Sequence, residues 1–187
     1  MTSLRFATAG EVFETFPHAA SGIAILPEDN DEGPLAFLAR LVASATPEDA
    51  ITFCAYVLGR REAVWWGCQC HRHLGPPVGV DEKALLTAEA WIREPEEHRR
   101  RAALSVGISG DHAQAGTWLS LAAGGAGGTF IVNGQPSAPV PPEMTAKAVR
   151  AAVLISLARL PIRERAGQLV ACVEICRRLA QGQVEAS

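Results

Sequence analysis

The sequence predicts a mainly α protein, a single-domain multi-helix bundle of antiparallel helix pairs with a long Gly/Pro-rich loop or small hairpin at about 124–142. Three observations predict it. Apolar residues recur at helical spacing through most of the chain, as in Leu35, Leu38, Leu41 and Val42. Glycine and proline fall between these periodic stretches, at Gly59, at Gly75-Pro76-Pro77 and from Gly124 onward. A chain of 187 residues that is 48% hydrophobic can bury one sizeable core and is short for two.

Residues 1–33 read as a loosely structured leader packed on the body, with a short strand or turn of helix around Glu11–Phe16 and an acidic turn at Glu28–Gly33. Residues 34–181 form the helical core. Helix starts are marked at Pro34 and at Thr46-Pro47-Glu48-Asp49, where a cap hydroxyl, a first-position proline and two acids favour the positive end of the helix dipole. That helix is expected to end at Gly59. The next spans the Trp-Cys-His segment to Gly75, and Asp81 is expected to cap a helix through Ile92. Another begins at Glu94-Pro95-Glu96-Glu97, and a further one at Ser109-Gly110-Asp111. Gly124 to Pro142 encloses one strand-like run, Thr129-Phe130-Ile131-Val132, before Asn133-Gly134. Ala146 to Leu160 is apolar nearly all round, as a central buried helix reads, and Arg163 to Gln181 is amphipathic.

A net charge of -3 supplies no basic field, and His98-Arg99-Arg100-Arg101 directly follows Glu94, Glu96 and Glu97, so nucleic acid is not the expected partner. No apolar run approaches the ~20 residues that span a bilayer, and no secretory signal is evident at Met1–Phe6. A cytoplasmic location is expected, with the five cysteines as thiols or ligands.

The densest chemistry lies in Arg60–His73, which holds Trp65, Trp66, Cys68, Cys70, His71 and His73. On a helix Cys68 and Cys70 diverge by about 200°, so one zinc cannot take both. Cys68 with His71 is an i,i+3 pair that could share a metal if other segments completed the site. No cofactor is expected, and zinc on Cys68 and His71 is the alternative. Cys172 and Cys176 share a stripe with Leu169, Val173 and Leu179 and read as core. Trp65 and Trp66 differ by one helical step, so one can anchor the core while its neighbour reaches a rim or groove. Ser109-Gly110-Asp111-His112 collects triad residue types, but a triad is assembled in space from distant segments, and a helix start explains these residues. Gly124–Gly128 lacks the lysine and preceding strand of a phosphate loop.

Asp49–Phe53, Arg60-Arg61-Glu62-Ala63-Val64-Trp65-Trp66, Ala88–Ile92, Arg99–Ala103, Gly116–Leu119 and Thr145–Val149 together resemble the successive motifs of an uncharacterised bacterial family of small helical proteins. The likeness runs from about Phe6 to Leu160, and Arg-Glu-Ala-Val-Trp-Trp is its most specific part. Members are often encoded near type VI or related secretion genes, so the resemblance implies an accessory or adaptor role and carries over no catalytic residue. The expectation is therefore a non-enzymatic module that binds another protein, a secretion-system component among the partners implied. Its recognition surface is expected to use Arg61, Trp65 or Trp66, and the loop near Phe130. The alternative is a metal-dependent enzyme or sensor built on Cys68 and His71.

Overall fold

The computed structural model describes residues 4–132 and 135–184. The chain forms α1 (Ala9–Thr15), α2 (Pro17–Ala20), α3 (Pro34–Val42), α4 (Glu48–Val57), α5 (Arg60–Leu74), α6 (Gly79–Arg93), α7 (Glu97–Ser109) and α8 (Ala115–Gly124). These are followed by β1 (Thr129–Val132), β2 (Gln135–Pro139), α9 (Met144–Ala158) and α10 (Ile162–Ala180). The fold is mainly α. The two short strands pair antiparallel with an irregularity between Thr129 and Ile131, and the Asn133-Gly134 turn lies outside the described residues.

The amino-terminal segment is more ordered than a loose leader. Thr8 and Glu11 form a reciprocal capping box at the start of α1, satisfying backbone donors that the helix leaves free. Ala9, Val12, Phe16 and Ala19 are then buried in the same core as the rest. Phe13 meets the Phe37 ring edge to face at 5.7 Å, and Phe37 meets Phe53 at 4.9 Å, so aromatic packing joins α1, α3 and α4.

Two helix starts differ from the local reading. Pro47, not Thr46, occupies the cap position of α4, and the Thr46 hydroxyl donates to the Asp49 carboxylate at 2.8 Å. Asp81 sits inside the first turn of α6, and its Oδ1 accepts the Gly116 N–H of α8 at 2.7 Å. Helix α8 has no side-chain cap of its own, so a carboxylate 35 residues away in sequence supplies one. Asp111 instead orders the preceding turn by accepting the Ala113 N–H, and α8 begins at Ala115.

Helix α8 packs against α5, α6, α7 and α9. Its crossing with α7 uses paired glycines: Gly107 faces the backbone of Leu121, and Gly124 faces the backbone of Leu104. A side chain at either position would meet main-chain atoms of the opposing helix, so these helices approach more closely than larger residues permit. Helix α4 is buried on every side from Ala50 to Val57, whereas α9 keeps Lys147 and Arg150 exposed. The helix buried on every side is thus α4. Helix α10 closes the bundle against α4 and α5, reaching past its neighbour in sequence, α9, which it touches less.

Candidate functional site

Helix α5 distributes the Trp-Cys-His cluster over several surroundings. Trp66 is 0% exposed, and its indole N–H donates to the Cys172 carbonyl of α10 at 2.9 Å. A side chain enclosed in this way anchors the core and cannot anchor a partner, which removes Trp66 from the expected recognition surface. One helical step away, Trp65 is half-buried and borders a cavity of about 170 Å³ with Cys68, Gln69, Glu89, Ile92 and Arg93. Arg61 donates from Nε to the Ile92 carbonyl at 2.7 Å, placing its charge near the negative end of α6. Phe130 is half-buried on β1 and does not line the Trp65 cavity. The glycine loop before it is held by two arginines: Arg60 donates to the Ala126 carbonyl at 2.9 Å, and buried Arg100 donates to that of Gly124. Gly128 follows with φ of 78°, a backbone conformation that favours glycine.

Cys68 and His71 do not converge. Cys68 borders the Trp65 cavity, while His71 borders a separate cavity of about 230 Å³ with Leu74, Gly75, Pro76, Ser156, Arg159 and Leu160. Both His71 ring nitrogens are engaged, Nδ1 with Ser156 Oγ at 2.8 Å and Nε2 with Asp81 Oδ2 at 3.1 Å. Coordination of a metal by either nitrogen would break one of these bonds. Among the described residues, no group of three or more His, Cys, Asp or Glu side chains is placed to hold a metal ion.

The network around His71 joins four helices. Asp81 accepts from His71, from Gly116 N–H and from Arg159 Nη1 at 3.2 Å, while Arg159 Nη2 also donates to the Ala113 carbonyl and to Gln114. A carboxylate that accepts from all three fixes the imidazole hydrogen on Nε2 and leaves Nδ1 as an acceptor facing Ser156. Burial lowers the His71 pKa below its ordinary 6.5, and the opposing pull of Asp81 is the smaller effect. Sequence reasoning reached His71 but missed Ser156, Asp81 and Arg159 as its partners. Ser156 is one hydroxyl in a largely apolar helix, a pattern with no local signature.

All five cysteines are buried as free thiols. The Cys70 thiol lies 4.0 Å from the Cys172 carbonyl, and the Cys54, Cys70, Cys172 and Cys176 side chains neighbour one another where α4, α5 and α10 meet. Burial pushes the Cys54, Cys68 and Cys70 thiols well above their ordinary range and disfavours the nucleophilic thiolate. Cys172 and Cys176 occupy the core stripe of α10 with Leu169, Val173 and Leu179.

An apolar groove of about 430 Å³ lies where α9 and α10 meet the start of α4. Leu154 and Leu157 line it from α9, Ile162, Ala166 and Leu169 from α10, and Pro47 from the α4 entry, with Glu48 and Arg165 as its charged borders. Ile162 is 81% exposed, and Ala166 and Val170 continue an exposed stripe at i+4 and i+8 along α10. Large exposed aliphatic side chains aligned beside a groove are the usual mark of an interaction surface. Among the described residues, no helix is long and apolar enough to cross a membrane.

No curated protein and no solved structure matches the chain. The sequence model of DUF6931, a family of unknown function, matches residues 37–180, from α3 to the end of α10. That match takes in the Trp-Cys-His helix, the His71 network and the α9–α10 groove, and the chain belongs to this family of unknown function.

Proposed function

We propose that the protein is a protein-binding accessory whose recognition site is the α9–α10 groove, occupied by an amphipathic helix of the partner. The observation that carries this reading is the exposed stripe Ile162, Ala166 and Val170 beside the groove bordered by Leu154 and Leu157. Helical spacing on α10 suits an incoming helix whose own apolar residues recur at i, i+3 and i+4. A secretion-system component is the partner class that the bacterial family resemblance implies, and a cytoplasmic site of action goes with it. Trp65 borders a smaller cleft between α5 and α6, whose Ile92 carbonyl accepts from Arg61, and the two side chains form a secondary contact region in this reading.

The test is capture from a native-host lysate on the immobilised full chain, read by mass spectrometry, followed by titration with the purified captured protein. Fully burying an isoleucine side chain contributes about 1.5–3 kcal/mol, so Ile162→Ala should weaken binding about 10- to 100-fold. Ile162→Arg should weaken capture further, because a long charged side chain would replace the apolar surface that an incoming helix covers. Trp65→Ala should have a smaller effect. Undiminished binding by folded Ile162→Arg protein excludes the groove as the recognition site, and failure to capture any secretion component removes the partner class.

A further inference from the structure

The network around His71 has the layout of a nucleophile, a base and a group that orients the base. We propose that Ser156, His71 and Asp81 form an acyl-transfer site acting on a small carboxylic ester that enters the 230 Å³ cavity. This is independent of the docking groove, which shares no lining residue with this cavity.

Three features favour chemistry over a purely structural network. First, Ser156 Oγ lies 2.8 Å from His71 Nδ1, and Asp81 holds the hydrogen on the opposite nitrogen, so the lone pair of Nδ1 faces the hydroxyl. Ser156 Oγ also lies 2.9 Å from the Ala152 carbonyl, which can accept it beside a backbone N–H, so the single hydroxyl proton is shared between that carbonyl and Nδ1 and reaches the imidazole by rotation about Cβ–Oγ. A serine that only satisfied its own helix would need no imidazole. Second, Ser156 and His71 are 3% and 4% exposed, yet both border a cavity, so the reacting atoms combine exclusion of bulk water with an entry path. Third, Arg159 stands at the same cavity wall, its Nη atoms held by Asp81, Ala113 and Gln114, which fixes a positive charge beside the space where negative charge would develop on a substrate oxygen.

In the first step Ser156 Oγ bonds to the ester carbonyl carbon while the carbonyl π pair moves onto oxygen and the hydroxyl proton passes to His71 Nδ1. Collapse restores the carbonyl and breaks the bond to the leaving alkoxide, which takes the proton back from Nδ1. Water then repeats the sequence on the acyl-serine, giving acid and alcohol from one ester and one water. Ser156 and His71 touch the reacting atoms. Asp81 is a positioning residue, acting through the imidazole.

The experiment treats the purified full chain with a small alkyl fluorophosphonate, which bonds to an activated serine oxygen with loss of fluoride. Intact mass and peptide mapping locate the adduct, and 4-nitrophenyl acetate reports turnover. The expected result is one adduct on Ser156, ester hydrolysis above buffer, and loss of both in Ser156→Ala. His71→Gln should lower the labelling rate at least about 100-fold, the lower end of general-base contributions. In the wild type the rate should rise with pH through a single midpoint below 6.5, and Asp81→Asn should move that midpoint lower and also reduce the plateau rate above it, a loss of rate that the charge change alone would not produce. The proposal is overturned by folded wild-type protein that takes no label, by label at another residue, or by label on Ser156 that persists unslowed in His71→Gln. The wild-type result decides the matter even if a variant fails to fold.

Discussion

Replacing Gly107 with alanine sets helix propensity against tertiary packing, and the two predict opposite signs. In an exposed helix, Gly→Ala stabilises by about 0.8–1 kcal/mol because alanine restricts the unfolded chain. At Gly107 an added Cβ would stand 2.5 Å from Leu121 N and Cα and 2.7 Å from its Cβ. Carbon atoms pack best at about 3.5–4.0 Å, so α7 and α8 must separate by roughly 1 Å. Helix α8 is also held by α5, α6 and α9, and the obstructing atoms are backbone, which no rotamer change relieves. Overpacking costs about 1–3 kcal/mol, and a backbone obstruction belongs at or above the upper end, leaving a net loss of about 2 kcal/mol after the propensity gain. For a chain of this size that lowers Tm by about 4–8 °C. Gly167, inside α10, has nothing within 4 Å of an added Cβ, so Gly167→Ala isolates the propensity effect and should raise Tm by a few degrees at about 2–4 °C per kcal/mol. Thermal and urea unfolding followed by far-UV circular dichroism compares the three proteins. A Gly107→Ala protein stabilised to the same degree as Gly167→Ala would refute the close α7–α8 crossing, since propensity alone would then account for both substitutions.

Because all five thiols are buried, a chromogenic disulfide reagent should react with the native protein far more slowly than with protein in denaturant, where five equivalents should appear. Prompt reaction of one or more native thiols would contradict the packing of α4, α5 and α10. Burial of His71 also makes stability depend on pH: with its folded pKa below 6.5, the unfolded chain binds more protons as pH falls under that value. This contribution is therefore full above about pH 6.5 and declines as pH falls below it. Asp81, Arg159 and Arg72 are the charged groups acting on the imidazole, with Ser156 its neutral partner. His71→Gln should flatten the acid side of a urea-midpoint profile between about pH 6.5 and 5, and an unchanged slope there would count against a neutral buried His71.

Helix existence was legible in local chemistry. Apolar spacing, the Gly59 and Gly75-Pro76-Pro77 breaks and the run Gly124–Gly128 act within a few residues of themselves, so they mark α4, α5 and the end of α8 wherever the chain folds. The divergence of Trp65 and Trp66 by one helical step was readable for the same reason. Which of the two faces inward was not, because the choice depends on the Cys172 carbonyl, 106 residues away. Asp81 carries a local signal for capping α6, but tertiary packing brings the start of α8 close enough to take its carboxylate. The metal pairing of Cys68 and His71 followed from i,i+3 spacing, yet the packing of α6 and α9 against α5 gives His71 two other partners.

What the sequence by itself determined is the class of fold, its punctuation and the enrichment of reactive residue types on α5. Periodicity and capping are properties of neighbouring residues. Only the tertiary structure decided the α9–α10 groove and the meeting of His71 with Ser156, 85 residues further along. Such encounters are set by the order in which helices pack, and a serine within an apolar helix looks the same in sequence whatever that order proves to be.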